Sequence, residues 1–338
     1  MDFWYRIRFP LLFSGMVALL AGLWAGLLRL GWDIPLLTPD LPESHGPLMV
    51  ACFLSVVIGL ERAVALGHRW SYATPFFTGV GGFIYIFASS SPVGPVLVTI
   101  GAVSLVIINT VIIALQPALF TVIMGIGSIA LLVGDIMWVL DFPIYQIVIW
   151  WAGFLILTIT AERLELSRFL KPSKLAQTLF LIACAMFIAG MLAMSVSPEM
   201  GTIPAGIGIL ALTLWLGKYD IARRTIRQTG LTRFVAVCLL SGYAWLGIGG
   251  TLLLFSGVFE PGQYYDATLH AIFVGFVLSM IFGHAPIIFP AVLKVEVPYT
   301  PRFYSHLALL HVSLILRIVS DLGGFDTGQM WGGLINEI

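Results

Sequence analysis

The chain has 338 residues, 59% of them hydrophobic and only 10% charged, with seventeen basic side chains matched by seventeen acidic ones for a formal net charge of zero. So apolar a composition excludes a soluble globular protein, and the neutral balance gives no reason to expect nucleic acid as a partner. The lipid bilayer is the expected partner, and the expected fold class is all-α: a polytopic bundle of transmembrane helices.

A window of about nineteen residues moved along the chain predicts spans at 9–30, 46–66, 73–90, 93–115, 118–140, 143–162, 174–196, 202–217, 232–257, 266–292 and 303–321. The opening MDFWYRIRFPLLF is followed by no small-residue cleavage site, so it is expected to stay as the first of these eleven spans. The tail GGFDTGQMWGGLINEI reads either as a loop with the first turns of an incomplete twelfth helix or as a segment lying in the interface. Loops mostly under ten residues leave no room for a soluble domain, so residues 1–338 are expected to form a single transmembrane domain.

Alternate connections carry Arg6 and Arg8; Arg62 and Arg69; Arg163, Arg168, Lys171 and Lys174; Lys218, Arg223, Arg224, Arg227 and Arg233; and Lys294 and Arg302, fifteen of the seventeen basic residues. The opposite side holds Asp33, Asp40, Glu43, Asp141, Glu199, Glu260 and Asp326. The positive-inside rule then places the amino terminus in the cytoplasm, and a prokaryotic cytoplasmic membrane is the expected location. IGLERAVAL ends the second span and ITAERLELS the sixth, so Glu61–Arg62 and Glu162–Arg163 mark either a four-helix internal repeat or two ordinary interfacial pairs. Cys52, Cys184 and Cys238 lie inside apolar runs, with no spacing that suggests a disulfide or metal site, and are expected to be packing residues.

The tenth span, DATLHAIFVGFVLSMIFGHAPIIFPAVL, carries His270 and His284. Over fourteen residues an α-helix rises about 21 Å and leaves the two side chains about 40° apart. Both imidazoles should therefore face one direction at different depths, as stacked haems require. His45 opens the second span level with His270, and His311 lies in the eleventh level with His284, giving two depth-matched pairs. His306, five residues before His311, turns about 140° away from it and is expected to be a spare ligand for copper or a partner for a propionate. His68 is expected in a cytoplasmic loop and solvated. The bland alternative is that each histidine is a packed or proton-relaying group, but ionisable side chains in spans are expensive and tend to be functional.

Arg317, six residues past His311, needs an anion. Asp321 at i,i+4 is the first expectation, with Asp135 of the fifth span second and a haem propionate third. Pro286 and Pro290 should bend the tenth span and swing its far end toward the eleventh.

A chain of eleven or twelve spans with short loops, a histidine opening the second and a histidine-bearing tenth resembles the NnrS family of haem- and copper-containing membrane proteins. More distantly it resembles the catalytic subunits of haem-copper oxidases and nitric oxide reductases, where histidines of the second and tenth helices hold the low-spin haem; His45 and His270 occupy comparable places. The resemblance implies b-type haem, one or two per chain, and copper as a further metal. The sixth span, FPIYQIVIWWAGFLILTITAE, carries no histidine and no HH pair occurs, so oxygen reduction at a two-metal centre is not expected.

These features lead to an expected membrane redox protein that transfers electrons or handles nitric oxide or quinol, with His45, His270, His284, His311 and Arg317 around the cofactor and His306 as an additional metal ligand. Its partners would be quinol, a small redox protein or other membrane subunits. The alternatives are a secondary transporter with an intramembrane His/Glu/Asp proton relay, and a non-catalytic subunit of a larger membrane complex.

Overall fold

The computed structural model describes residues 6–337, and all of the regular structure among them is helical. Twelve helices dominate: α1 Arg8–Arg29, α2 Leu41–Leu66, α3 Ala73–Phe87, α4 Val93–Leu115, α5 Leu119–Val139, α6 Ile144–Ser167, α7 Lys174–Val196, α8 Pro198–Tyr219, α9 Gly230–Phe255, α10 Gln263–Leu293, α11 Phe303–Gly323 and α12 Asp326–Glu337. Ten of these are long and apolar enough to cross a membrane, which makes this an integral membrane architecture. The expected span at 73–90 is instead the 15-residue α3. At 1.5 Å per residue it rises about 22 Å, short of the roughly 30 Å of hydrocarbon in a bilayer. A 3₁₀ turn at Arg69–Tyr72 takes up the residues before it, and the run Ser89–Ser91 follows its end.

The helix ends follow from local chemistry. The Ser173 hydroxyl accepts the Ala176 N–H at the start of α7, and Pro198 opens α8, where its missing N–H is not needed. Gly67 closes α2 with φ 72°, and Gly324 closes α11 with φ 69°, a conformation that only glycine adopts without strain.

The helices gather into two compact units, Met1–Thr158 with Ile288–Val295, and Ile159–Ile287 with Glu296–Ile338. In the first, α3 and α4 meet backbone to backbone: a Cβ added to Gly81 would lie 2.8 Å from the Gly94 carbonyl oxygen. Leu11, Leu60, Ala63, Tyr72 and Val292 form a core there. Arg8 donates to the Tyr72 hydroxyl at 2.9 Å and to the Val292 carbonyl at 3.3 Å. The far end of α10 thus packs with α1 and α2, not with α11 as the prolines led us to expect. Helix α10 runs on through Pro286 and Pro290 to Leu293.

In the second unit α7 and α8 form a close hairpin, with Gly190 against the backbone of Ala205 and Gly208 against that of Phe187. Two apolar clusters hold the remaining helices, one around Trp245, Ala267, Ala271, Leu314 and Ile318 and one around Phe234, Cys238, Leu307 and Leu310. Helix α12 turns back along α11. Ser313 donates to Asn336, a Cβ on Gly332 would lie 2.7 Å from the Arg317 nitrogen, and Gly328 abuts Ser320. The tail is therefore a 12-residue antiparallel helix packed on its neighbour through a G-x-x-x-G face. All three cysteines are buried and free, as expected of packing residues.

Candidate functional site

Two spans depart from regular α-geometry, and both do so beside a histidine. In α2 the residues Leu48–Leu54 are π-helical, starting three positions after His45; in α10 the π segment Ala271–Leu278 starts immediately after His270. Such segments concentrate at functional sites. The second one also removes the premise that His270 and His284 face one direction. Eight of the steps between them are π-helical, so the 40° offset of a regular α-helix no longer follows.

The ring nitrogens show which histidines suit a metal. Nδ1 of His45 contacts the Gly22 carbonyl of α1 at 2.7 Å, Nδ1 of His270 the Asp266 carbonyl at 2.8 Å, and Nδ1 of His284 the Met280 carbonyl at 2.7 Å. A carbonyl only accepts, so Nδ1 carries the proton in all three, and the neutral rings hold their lone pair on Nε2. This is the arrangement of an imidazole that binds metal through Nε2. At His45 it depends on a close approach of helices, since a side chain at Gly22 would run into Met49 and Leu48.

His311 is arranged the other way. Trp245 Nε1 donates to its Nδ1 at 3.0 Å, which puts the proton on Nε2, and that buried nitrogen has no hydrogen-bond partner. A lone pair on Nε2 would require a second N–H facing the indole N–H, so the ring as held does not fit a metal. His306 is exposed at the start of α11, and His68 is exposed with its ring stacked on Trp70. Among the described residues no three His, Cys, Asp or Glu side chains converge as a metal-binding group; a haem iron held by two imidazoles would need no such trio. His45 belongs to the first unit, and His270, His284 and His311 to the second.

Arg317 has neither of the partners first expected. Its guanidinium bonds the Asp266 carboxylate at 2.9 Å, and Asp266 also lies 3.4 Å from His270 Nδ1. The first turn of α10 lies beside the last turn of α11, which puts Asp266 level with Arg317. Asp321 is 4% exposed, and its carboxyl oxygens sit beside Asp266 and Gln329 without a donor at bonding distance. Asp135, fully buried in the first unit, accepts the Trp151 indole N–H at 2.9 Å.

Sequence patterns gave no sign of a second buried pair. Arg163 grips Asp220 in a fork, Nε to Oδ2 at 2.8 Å and Nη2 to Oδ1 at 3.0 Å, and Asp220 also accepts the Ala222 N–H at 2.7 Å. The side chains are 3% and 0% exposed. Arg62, which would be its counterpart under the repeat reading, lies 3.9 Å from its neighbour Glu61 in a half-buried pair, so the two Glu-Arg sequences sit in different surroundings. No curated protein and no solved structure matches the chain. Residues 8–338 match the family described as Domain of unknown function (DUF8744), and the chain belongs to that family.

Proposed function

We propose that this membrane protein binds b-type haem, with His45 and His270 each a candidate axial ligand in its own unit, and that it transfers electrons to or from quinol, nitric oxide or a small redox protein. One observation carries the proposal: each of these histidines stands in the first turns of a span, within three residues of a π-helical segment, with Nδ1–H held by a backbone carbonyl so that the neutral ring's lone pair lies on Nε2, the nitrogen through which such an imidazole binds metal. The resemblance to NnrS-like and haem-copper membrane proteins, where the second and tenth helices carry ligands, points the same way. His284, with the same tautomer, is the candidate ligand for a second haem or for copper. Bound haem would supply one-electron chemistry. The chain's own part is to fix the imidazoles, through the Gly22 and Asp266 carbonyls, and to exclude water with apolar helices. The run of basic residues on alternate loops supports a cytoplasmic amino terminus in a prokaryotic cytoplasmic membrane.

The test is purification after expression with a haem supply, followed by a reduced-minus-oxidised optical spectrum and iron and copper analysis of the same sample. The expected result is a Soret band with at least one iron per chain, and a loss of half or more of that haem in both His45→Ala and His270→Ala. A protein without Soret band and iron, or variants that keep full haem content, would refute the proposal.

A further inference from the structure

Helices α1 and α3 of the first unit flank a groove of about 760 Å³, within the roughly 300–1,000 Å³ of pockets that hold small molecules. Phe13 and Val17 of α1 and Phe76, Val80 and Phe83 of α3 give it apolar walls. Small residues close its floor: Ser14 sits against Gly79, where an added Cβ would strike the serine oxygen. The Ser14 hydroxyl is spent on the Leu11 carbonyl of its own helix, at 2.7 Å. From Ala73 to Phe83 the groove follows α3 for about 15 Å. A long apolar trough of this kind suits a hydrocarbon chain.

Its two ends differ in charge. The helices run parallel, since Arg8 meets Tyr72, Ser14 meets Gly79 and Ala18 lies by Gly82. Both therefore begin at the same end of the groove, where the positive ends of their dipoles come together. No acidic residue stands in the first turn of either helix or in the turn Arg69–Tyr72 that precedes α3. Three arginines gather at this end. Arg69 is exposed and lines the groove, Arg6 is exposed one residue before Ile7, which also lines it, and Arg8 reaches Tyr72. Trp70, 43% exposed, stands beside Arg69, as an aromatic ring at headgroup level would.

We propose that this groove binds an anionic phospholipid, with an acyl chain between α1 and α3 and the phosphate at Arg69 and Arg6. Guanidinium groups hold phosphate through charge-assisted hydrogen bonds, and basic pockets between spans collect acidic headgroups. A neutral quinol ring would leave the cationic end unused. A second copy bound through the same face would set its own cationic end against this one, because both copies share one orientation in the membrane. The site is independent of the haem proposal.

The test places the purified full chain in nanodiscs of phosphatidylcholine and phosphatidylglycerol in equal parts, then counts the lipids retained after transfer to detergent by native mass spectrometry. The expected result is about one phosphatidylglycerol held per chain in preference to phosphatidylcholine. Arg69→Gln should cut that preference about fivefold, the worth of one basic residue at an anionic headgroup, whereas Arg227→Gln in the second unit should leave it unchanged. Val80→Trp, which fills the groove from an exposed position, should abolish retention, with thermal unfolding confirming that each variant is folded. Equal retention of the two lipids by the parent protein overturns the proposal whatever the variants do, as does full retention in Arg69→Gln or Val80→Trp. A parent that holds no lipid and forms a dimer broken by Val80→Trp would assign the groove to a second copy and overturn it as well.

Discussion

The fork between Arg163 and Asp220 shows how much a single buried residue carries here. Removing one partner strands the other charge away from water, so Asp220→Ala should lower stability by about 3–5 kcal/mol. The double variant Arg163→Leu/Asp220→Leu should recover most of that loss, because an apolar pair leaves no uncompensated charge. Urea or thermal unfolding in detergent measures both. Sequence placed Arg163 among the basic residues of the connection after the sixth span; its partner stands 57 positions on, and no local pattern links the two. The histidines divide in the same way. Their places along the helices were legible, but the ring state of His45 and His311 depends on a neighbour that spacing does not reveal. Trp245 holds His311 with its proton on Nε2. His311→Phe should therefore leave the haem spectrum unchanged, where His45→Ala and His270→Ala abolish or halve it.

At the scale of elements, apolar runs were enough to find every long helix, since a segment that must satisfy its backbone within lipid has few other forms to take. The π segments were not legible. In a helix apolar all round no polar stripe shows where the period changes, so AIFVGFVL looks like any other span interior. The α3 boundary was overextended for a related reason: the stretch Ala88–Ser91 is neutral and small enough to pass in a hydropathy window, although the chain leaves the helix at Ala88. The tail was read as the first turns of an incomplete twelfth helix or as an interfacial segment; Gly328 and Gly332 let it press against α11. Gly332→Leu would force a side chain into the backbone of Arg317, at a cost of about 1–3 kcal/mol for the overpacking. Limited proteolysis should then cut within Asp326–Glu337 in the variant while sparing the parent protein.

For the whole molecule, the surface carries the same message as the composition. Val196, Leu214, Phe255 and Leu115 are each more than 70% exposed, as suits side chains against lipid tails and not against water. The protein should accordingly remain in the membrane pellet through high-salt and alkaline washes and leave it only with detergent; release by salt alone would contradict an integral location. Membrane class and loop shortness were readable because they are sums over many residues. The grouping of helices into two units was not, since boundaries of the units fall inside α6 and α10, where no connecting loop marks them.

His45 differs from His270 and His284 in where its Nδ1 proton is anchored. The latter two are tied to their own helical turns, but His45 is tied to the carbonyl of Gly22 on α1. Any tilt of that first helix is therefore transmitted to this ring alone. A bilayer of altered thickness, to which spans respond by leaning, would act as a dial on His45, with the anchorage of His270 and His284 left at its setting.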